Sequence, residues 1–171
     1  MLKRVEYEDL EPLRFWRNNP DLHQYFNQHC TISRGEQVRW FESLNFGFQA
    51  FGVWEKNALV GYAALRDIDT ITRSAEFSLY ISPPEQSKGY GKKALHDIVE
   101  YGFGTLNLNR IYASVFSFNK AMKIYLDFGF KKDGTLRDGC FKKGKFWDVY
   151  FISLLRREWK NEIPNSQQQV F

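Results

Sequence analysis

The chain has 171 residues, enough for one domain with a substantial core, and its 43% hydrophobic and 26% charged residues are ordinary for a soluble globular protein. The formal net charge of +4 suits an anionic ligand but is too small to argue for nucleic acid, even with a sequence pI near 9.0. The start has no apolar signal region and no run is long enough to span a membrane, so a cytoplasmic protein without membrane or nucleic-acid partners is expected. Cys30 and Cys140 lack paired metal spacing, and His29-Cys30 is not a zinc pattern. Reduced thiols and no metal are the expectation, with His23, His29 and His96 structural or exposed.

In chain order, residues 2–7 alternate weakly and read as an edge strand. Asp9 is placed to cap a helix running to Trp16, with Pro12 near its first turn, and Asn18-Asn19-Pro20 breaks it. Ser33 and Glu36 form a capping-box pattern for a helix over 34–44. Residues 49–55 and 58–68, joined at Lys56-Asn57, read as a hairpin. In the next strand Phe77, Leu79 and Ile81 alternate with Glu76, Ser78 and Tyr80, and Pro83-Pro84 ends it, since neither has an N–H to offer a neighbour. After a polar loop, Gly89 and Gly91 lead into a helix whose Leu95, Ile98, Val99 and Gly102 recur at helical spacing. Residues 110–116 alternate again. Ser117 or Asn119 then caps a helix over 120–128, with Gly129 at its C-terminal cap. Strands over 130–136 and 145–155 are joined around Gly139 and Gly144. This order predicts an α/β fold with a mixed sheet and helices on its faces, as a single domain over 1–160 with a polar, Gln-rich tail over 161–171.

The strand, Gly-punctuated loop and helix over 75–106 have a chemical use. The first N–H groups of a helix have no partner within it, and with the helix dipole they make an anion site that glycines let a ligand approach. Lys88, Lys92 and Lys93 sit where positive charge is already concentrated, which a bound phosphate would reverse. On pattern alone the lysines read as a solvated face and the glycines as a turn. The Walker string is absent, and the dinucleotide fingerprint needs three glycines where this loop has two.

What does match is Gln86-Ser87-Lys88-Gly89-Tyr90-Gly91, which resembles the Gln/Arg-x-x-Gly-x-Gly/Ala loop of the GCN5-related N-acetyltransferases (GNAT). Asn119-Lys120-Ala121, Tyr125 and Gly129-Phe130 are similar to the family's Asn, Ala, Tyr and Gly-Phe segment, here with Ala two residues after Asn. The stretch from Gly134-Thr135-Leu136-Arg137 through Asp148 to Glu158-Trp159 resembles the branch with ribosomal-protein and spermidine acetyltransferases. Trp16-Arg17-Asn18, Pro20, Phe26, Ile32-Ser33 and Trp40-Phe41 are similar to the branch acetylating nucleotide-linked 4-amino sugars.

The resemblance implies a mostly antiparallel central sheet with helices on both faces, and acetyl-CoA as cosubstrate. It implies direct acetyl transfer to a primary amine of a small molecule: an amino-sugar nucleotide by slight preference, otherwise a polyamine or a ribosomal-protein or N-terminal amine. A catalytically silent acyl-CoA-binding module is the other reading. Gln86, Ser87, Lys88, Gly89, Tyr90, Gly91 and Lys92 would hold the diphosphate. Leu79, Tyr80 and Ile81 would run beside the pantetheine arm across from the 113–116 strand, and Asn119 would cap its helix, contact the cofactor, or both. Such chemistry needs a deprotonated amine, a stabilised carbonyl oxygen and a protonated leaving thiolate. Tyr125 is the candidate acid, although Ala121, Ile124, Tyr125 and Phe128 also form an apolar stripe in which an aromatic is core. Glu76 is either the base, acting through water, or a surface or salt-bridged carboxylate. Trp16, Arg17 and Asn18 would line the acceptor cleft, and the aromatic strands near the C-terminus would suit a homodimer.

Overall fold

The computed structural model describes residues 1–28 and 30–159. His29 and the tail over 161–171 lie outside the described residues. Seven strands form one sheet: β1 (Leu2–Arg4), β2 (Gln49–Glu55), β3 (Ala58–Asp69), β4 (Ser74–Ile81), β5 (Arg110–Phe116), β6 (Lys131–Lys142) and β7 (Lys145–Leu155). Their order is β1-β2-β3-β4-β5-β7-β6, and every pairing is antiparallel except β4 with β5. The predicted mixed, mostly antiparallel sheet is therefore observed.

Alternation along the strands builds two cores, one on each face. On the front face, α1 (Leu10–Asn18), α2 (Pro20–His23) and α3 (Arg34–Glu42) pack Leu10, Leu13 and Leu22 against Ala50, Tyr62, Ala64 and Tyr80. On the back face, α4 (Tyr90–Glu100) and α5 (Met122–Phe128) bury Leu95, Ile98, Val99 and Tyr125 against Phe51, Leu65, Phe77 and Ile111. The capping box of α3 forms as its sequence requires: Glu36 N–H donates to Ser33 Oγ (3.2 Å) and Ser33 N–H to Glu36 Oε2 (2.8 Å).

Three local expectations are corrected. Asp9 does not cap α1. It is buried in a 3-10 turn (Tyr7–Asp9), where its carboxylate accepts the Glu6 N–H at 3.0 Å, and no side chain caps α1. The first strand stops at Arg4, because its partner register with β2 spans only Leu2 to Arg4. Gly139 does not join two strands. It lies inside β6, where the register with β7 shifts between Leu136 and Cys140, and the hairpin turns at Lys143-Gly144 instead. Asp138, at φ 51°, anchors that bulge by donating its N–H to Asp148 Oδ1 (3.0 Å).

Candidate active site

The site is built on the one parallel pair. β4 and β5 pair only at Ser74↔Arg110, Ala75↔Ile111 and Glu76↔Tyr112. β4 runs on to Ile81 and β5 to Phe116 without pairing to each other, so the sheet opens into a gap whose apex is Glu76 and Tyr112. Main-chain groups along that gap are left for a ligand. Ser82 N–H donates to Val60 O on β3 (2.9 Å), and extended backbone alternates its N–H directions. The N–H groups of Leu79 and Ile81 therefore face the gap. Tyr80 faces the other way: its main chain is turned to β3. Its ring is buried on the front face, stacked on Tyr62 at 5.2 Å, and its hydroxyl reaches Leu13 O (3.5 Å). Tyr80 is a packing residue, and burial pushes the phenols of Tyr62 and Tyr80 far up.

The loop after β4 is poised for an anion. Gln86 Nε2 donates to Ile81 O (3.1 Å) and closes the loop on the strand end. Ser87 (φ 63°) and Gly89 (φ 85°) then turn the chain into α4. Among the described residues, the six successive amides from Ser87 to Lys92 donate to no protein acceptor, and no side chain caps α4. A Cβ built on Gly89 would meet nothing within 4 Å, so the space before these amides is open. Lys88 is paired to Glu85 (2.9 Å), which leaves Lys92 and Lys93 as the exposed cations of the first turn. Lys92, Lys93, His96 and Phe128 line a hollow of about 430 Å³ that continues from that turn.

Tyr125 enters from the back face on α5. It is buried, its ring edge-on to Phe77 at 5.2 Å and 6.2 Å from Phe130. Burial pushes its phenol up to about 12, so it holds its proton through the neutral range. Its hydroxyl has no hydrogen-bond partner among the described residues, yet it is not one of the sealed, unpartnered atoms, which are His23 Nε2, Trp54 Nε1 and Trp159 Nε1. Glu76 points to the front face, half-buried, with Oε2 3.0 Å from Arg66 across the β3–β4 pair. Asn119 Oδ1 accepts the Ala121 N–H (2.9 Å) in a turn that leads into α5; the helix starts at Met122 with Ala121 at its N-cap and no side-chain cap, so neither Ser117 nor Asn119 caps it as expected.

The front mouth of the gap is roofed by aromatics that no spacing in the sequence brings together. From the segment after α2, Phe26 packs edge-on to Tyr80 of β4 (5.4 Å), and Tyr25 stacks on Phe118, just beyond β5 (5.8 Å). Phe118 in turn contacts Phe116 (5.6 Å) and Trp147 (4.8 Å). Of the three predicted acceptor residues, Arg17 alone reaches this roof, over the Phe26 ring (5.2 Å) and donating to Gln28 Oε1 (2.8 Å). Trp16 packs into the front core. Asn18 is spent on Ile32, donating to its O (2.8 Å) and accepting its N–H (2.7 Å).

A family model for the acetyltransferase (GNAT) domain matches residues 1–131. The chain belongs to the GNAT acetyltransferase family. A crystal structure of the Vibrio cholerae spermidine N-acetyltransferase with CoA and spermine superposes on this acetyltransferase with TM-score 0.88 at 28% identity, over 92% of this chain and 96% of that one. An uncharacterized N-acetyltransferase, p20, of Bacillus licheniformis is 31% identical over 92% of this chain and 93% of its own. The acetyltransferase PseH of Campylobacter jejuni is 31% identical over 69% of this chain and 74% of its own. The enzyme is thus a GNAT N-acetyltransferase with acetyl-CoA as cosubstrate. The free amides, the open space over Gly89 and the hollow beside Lys92 fit a diphosphate and its nucleotide tail. Among the described residues no group of three or more His, Cys, Asp or Glu is placed to hold a metal, and no helix is long and apolar enough to cross a membrane.

Proposed function

We propose that the enzyme transfers acetyl directly to the primary amine of an amino-sugar nucleotide, and that the two faces of the β4–β5 gap divide the work. Acetyl-CoA supplies an acyl group activated as a thioester. Its diphosphate is held by the amides of Ser87, Lys88, Gly89, Tyr90, Gly91 and Lys92, with Gln86 bracing the loop. Leu79 and Ile81 offer main-chain N–H groups to the carbonyl oxygen as it gains charge, where preorganised donors act best. Asn119 holds the turn that leads into the helix carrying Tyr125 and is placed to meet the cofactor.

The acceptor amine comes from the front face. Glu76, at the apex on that face, takes the amine proton through water, its Oε1 being free of protein donors among the described residues. As the new N–C bond forms and the C–S bond breaks, Tyr125 Oη donates its proton to the departing thiolate. A phenol kept neutral by burial is suited to that role and unsuited to acting as a base. No cysteine nucleophile is needed: neither Cys30 nor Cys140 is among the residues that build the gap.

The observation that carries this reading is the set of unpaired main-chain groups at one strand pair, facing both a loop for an anion and a neutral phenol. The acceptor preference rests on Arg17 and the aromatic roof, and on likeness to PseH. The structure of the Vibrio enzyme with spermine keeps a polyamine as the second reading, and a ribosomal-protein or N-terminal amine as the third. A panel of 4-amino-sugar nucleotides, spermidine and N-terminal peptides, each assayed with acetyl-CoA for thiol release, tests it. Turnover confined to the polyamine would overturn the acceptor assignment, and no turnover with any amine would favour the silent module.

A further inference from the structure

The tip of the β6–β7 hairpin reads Phe141-Lys142-Lys143-Gly144-Lys145. Three cations in four residues on an exposed turn would ordinarily splay into solvent. Here they do not. Lys142 Nζ donates to Gln28 O (3.2 Å), which ties the tip to the segment that roofs the gap. Lys143 Nζ lies over the Phe118 ring (5.9 Å), and Lys145 Nζ over Trp147 (3.8 Å). Arg17 meets the same segment from the other side, through Gln28 Oε1. Gln28 thus holds a hairpin lysine by its carbonyl and the α1 arginine by its side chain, 114 and 11 residues away in sequence.

None of the four cations has a carboxylate partner among the described residues. Arg66, Lys88, Arg110, Lys123 and Lys131, by contrast, are each ion-paired. Asp148, on the β7 side of the hairpin, has Oδ1 committed to the Asp138 N–H. Gathering like charge without counter-ions works against the fold unless something anionic completes the cluster. The cations also rest on Phe118, Trp147 and Phe26, whose rings are only partly buried and offer flat faces beside the charge. Charge with adjoining aromatic faces suits a phosphate next to a planar ring, and it repels a polycation.

We propose that Lys142, Lys143 and Lys145 of the hairpin tip, with Arg17, form an anion subsite at the acceptor mouth that takes a phosphate group of the amine substrate. This subsite is separate from the diphosphate loop at Ser87 to Lys92. It deepens the acceptor reading above and rests on it only for the identity of the mouth. It makes the acceptor's phosphate, rather than its sugar, the feature by which this enzyme separates an anionic amine from spermidine.

The test uses the full chain saturated with CoA, so that the diphosphate loop is already filled. Inorganic pyrophosphate and spermine are titrated separately at about 0.15 M salt, where charges are screened beyond roughly 8 Å. The wild type is expected to bind pyrophosphate and not spermine. Lys142→Gln/Lys143→Gln should weaken pyrophosphate at least tenfold while leaving CoA affinity within twofold. Lys143→Glu alone, an exposed change on a turn, should weaken it further than Lys143→Gln. Equal pyrophosphate affinity in wild type and double variant, or binding of spermine in preference to pyrophosphate, would overturn the subsite. Failure of the wild type to bind CoA would instead sink the cosubstrate reading of the loop. The pyrophosphate difference between wild type and variant would then still decide the hairpin.

Discussion

Replacing Gly89 with alanine separates strain in the diphosphate loop from its use. Gly89 has φ 85°, and the added Cβ would meet no atom within 4 Å, so the substitution brings left-handed strain and no clash. That strain costs about 1–2 kcal/mol. For a chain of this size it lowers the apo melting temperature by roughly 2–8 °C. The methyl group would project into the space where the amides of Ser87 to Lys92 are free, and losing one charge-assisted hydrogen bond there costs about 1.5–3 kcal/mol. The dissociation constant for acetyl-CoA should then rise roughly 10- to 150-fold. At a concentration of 100 Kd the wild type gains about 2.7 kcal/mol, and at that concentration the variant should gain about 1.4 kcal/mol or less. Gly144→Ala is the matched control: φ is 77°, again with nothing within 4 Å, but it sits on the hairpin tip. It should show the same strain and an undiminished response to acetyl-CoA in a thermal-shift assay. If Gly89→Ala kept the full ligand-induced shift, the diphosphate would not lie over Gly89, and the assignment of the loop would fail.

If the Tyr125 phenol is the proton donor proposed above, Tyr125→Phe should lower kcat by about 10²- to 10⁴-fold with CoA affinity within twofold; unchanged kcat by thiol-release assay would leave Tyr125 as core alone. Glu76→Gln should lower kcat by about 10²-fold with CoA affinity within twofold; an unchanged kcat would leave Glu76 as only the partner of Arg66. The contribution of the buried tyrosines to stability should be level below pH 10 and fall above it. The phenol of Tyr125 is raised from 10.0 to about 12 by burial, so the unfolded chain ionises first and stability is lost as pH rises through that window. Tyr125 alone accounts for about 2.7 kcal/mol between those values, with Tyr62 and Tyr80 shifted the same way, so denaturant melts at pH 9 and 11 should differ less in Tyr125→Phe than in wild type.

What could be read from the sequence was whatever is set by local chemistry. The Ser33–Glu36 box, the alternation of 75–81 and the Gln86 to Gly91 loop each carry their structure within a few residues, and each is observed. Asp9 misled because a side chain with two acceptors can serve either of two neighbouring turns, and here it accepts from the Glu6 N–H behind it. Gly139 misled because a bulge and a turn draw on the same residue types. The gap itself had no signature: a strand that stops pairing after Glu76 has the same alternation as one that continues. The aromatic roof was out of reach for another reason. Tyr25 and Phe118, or Lys142 and Gln28, meet only through the whole fold, and no periodicity encodes them.

That division bears on what likeness to the spermidine enzymes means. The sheet and the helices on its faces carry the superposition at TM-score 0.88 over 92% of the chain. On the proposed reading the acceptor is met by different parts: the segment around Tyr25 to Gln28 and the hairpin tip at Lys142 to Lys145. Both are short, and apart from Phe26, which packs on the front core, their residues lie outside the two cores. A mouth ringed by Arg17 and three lysines would have to desolvate those cations against a polyamine of the same sign, and each contact would count against binding. The shared scaffold therefore argues for the reaction, and the charge at the mouth argues for an acceptor of the opposite sign.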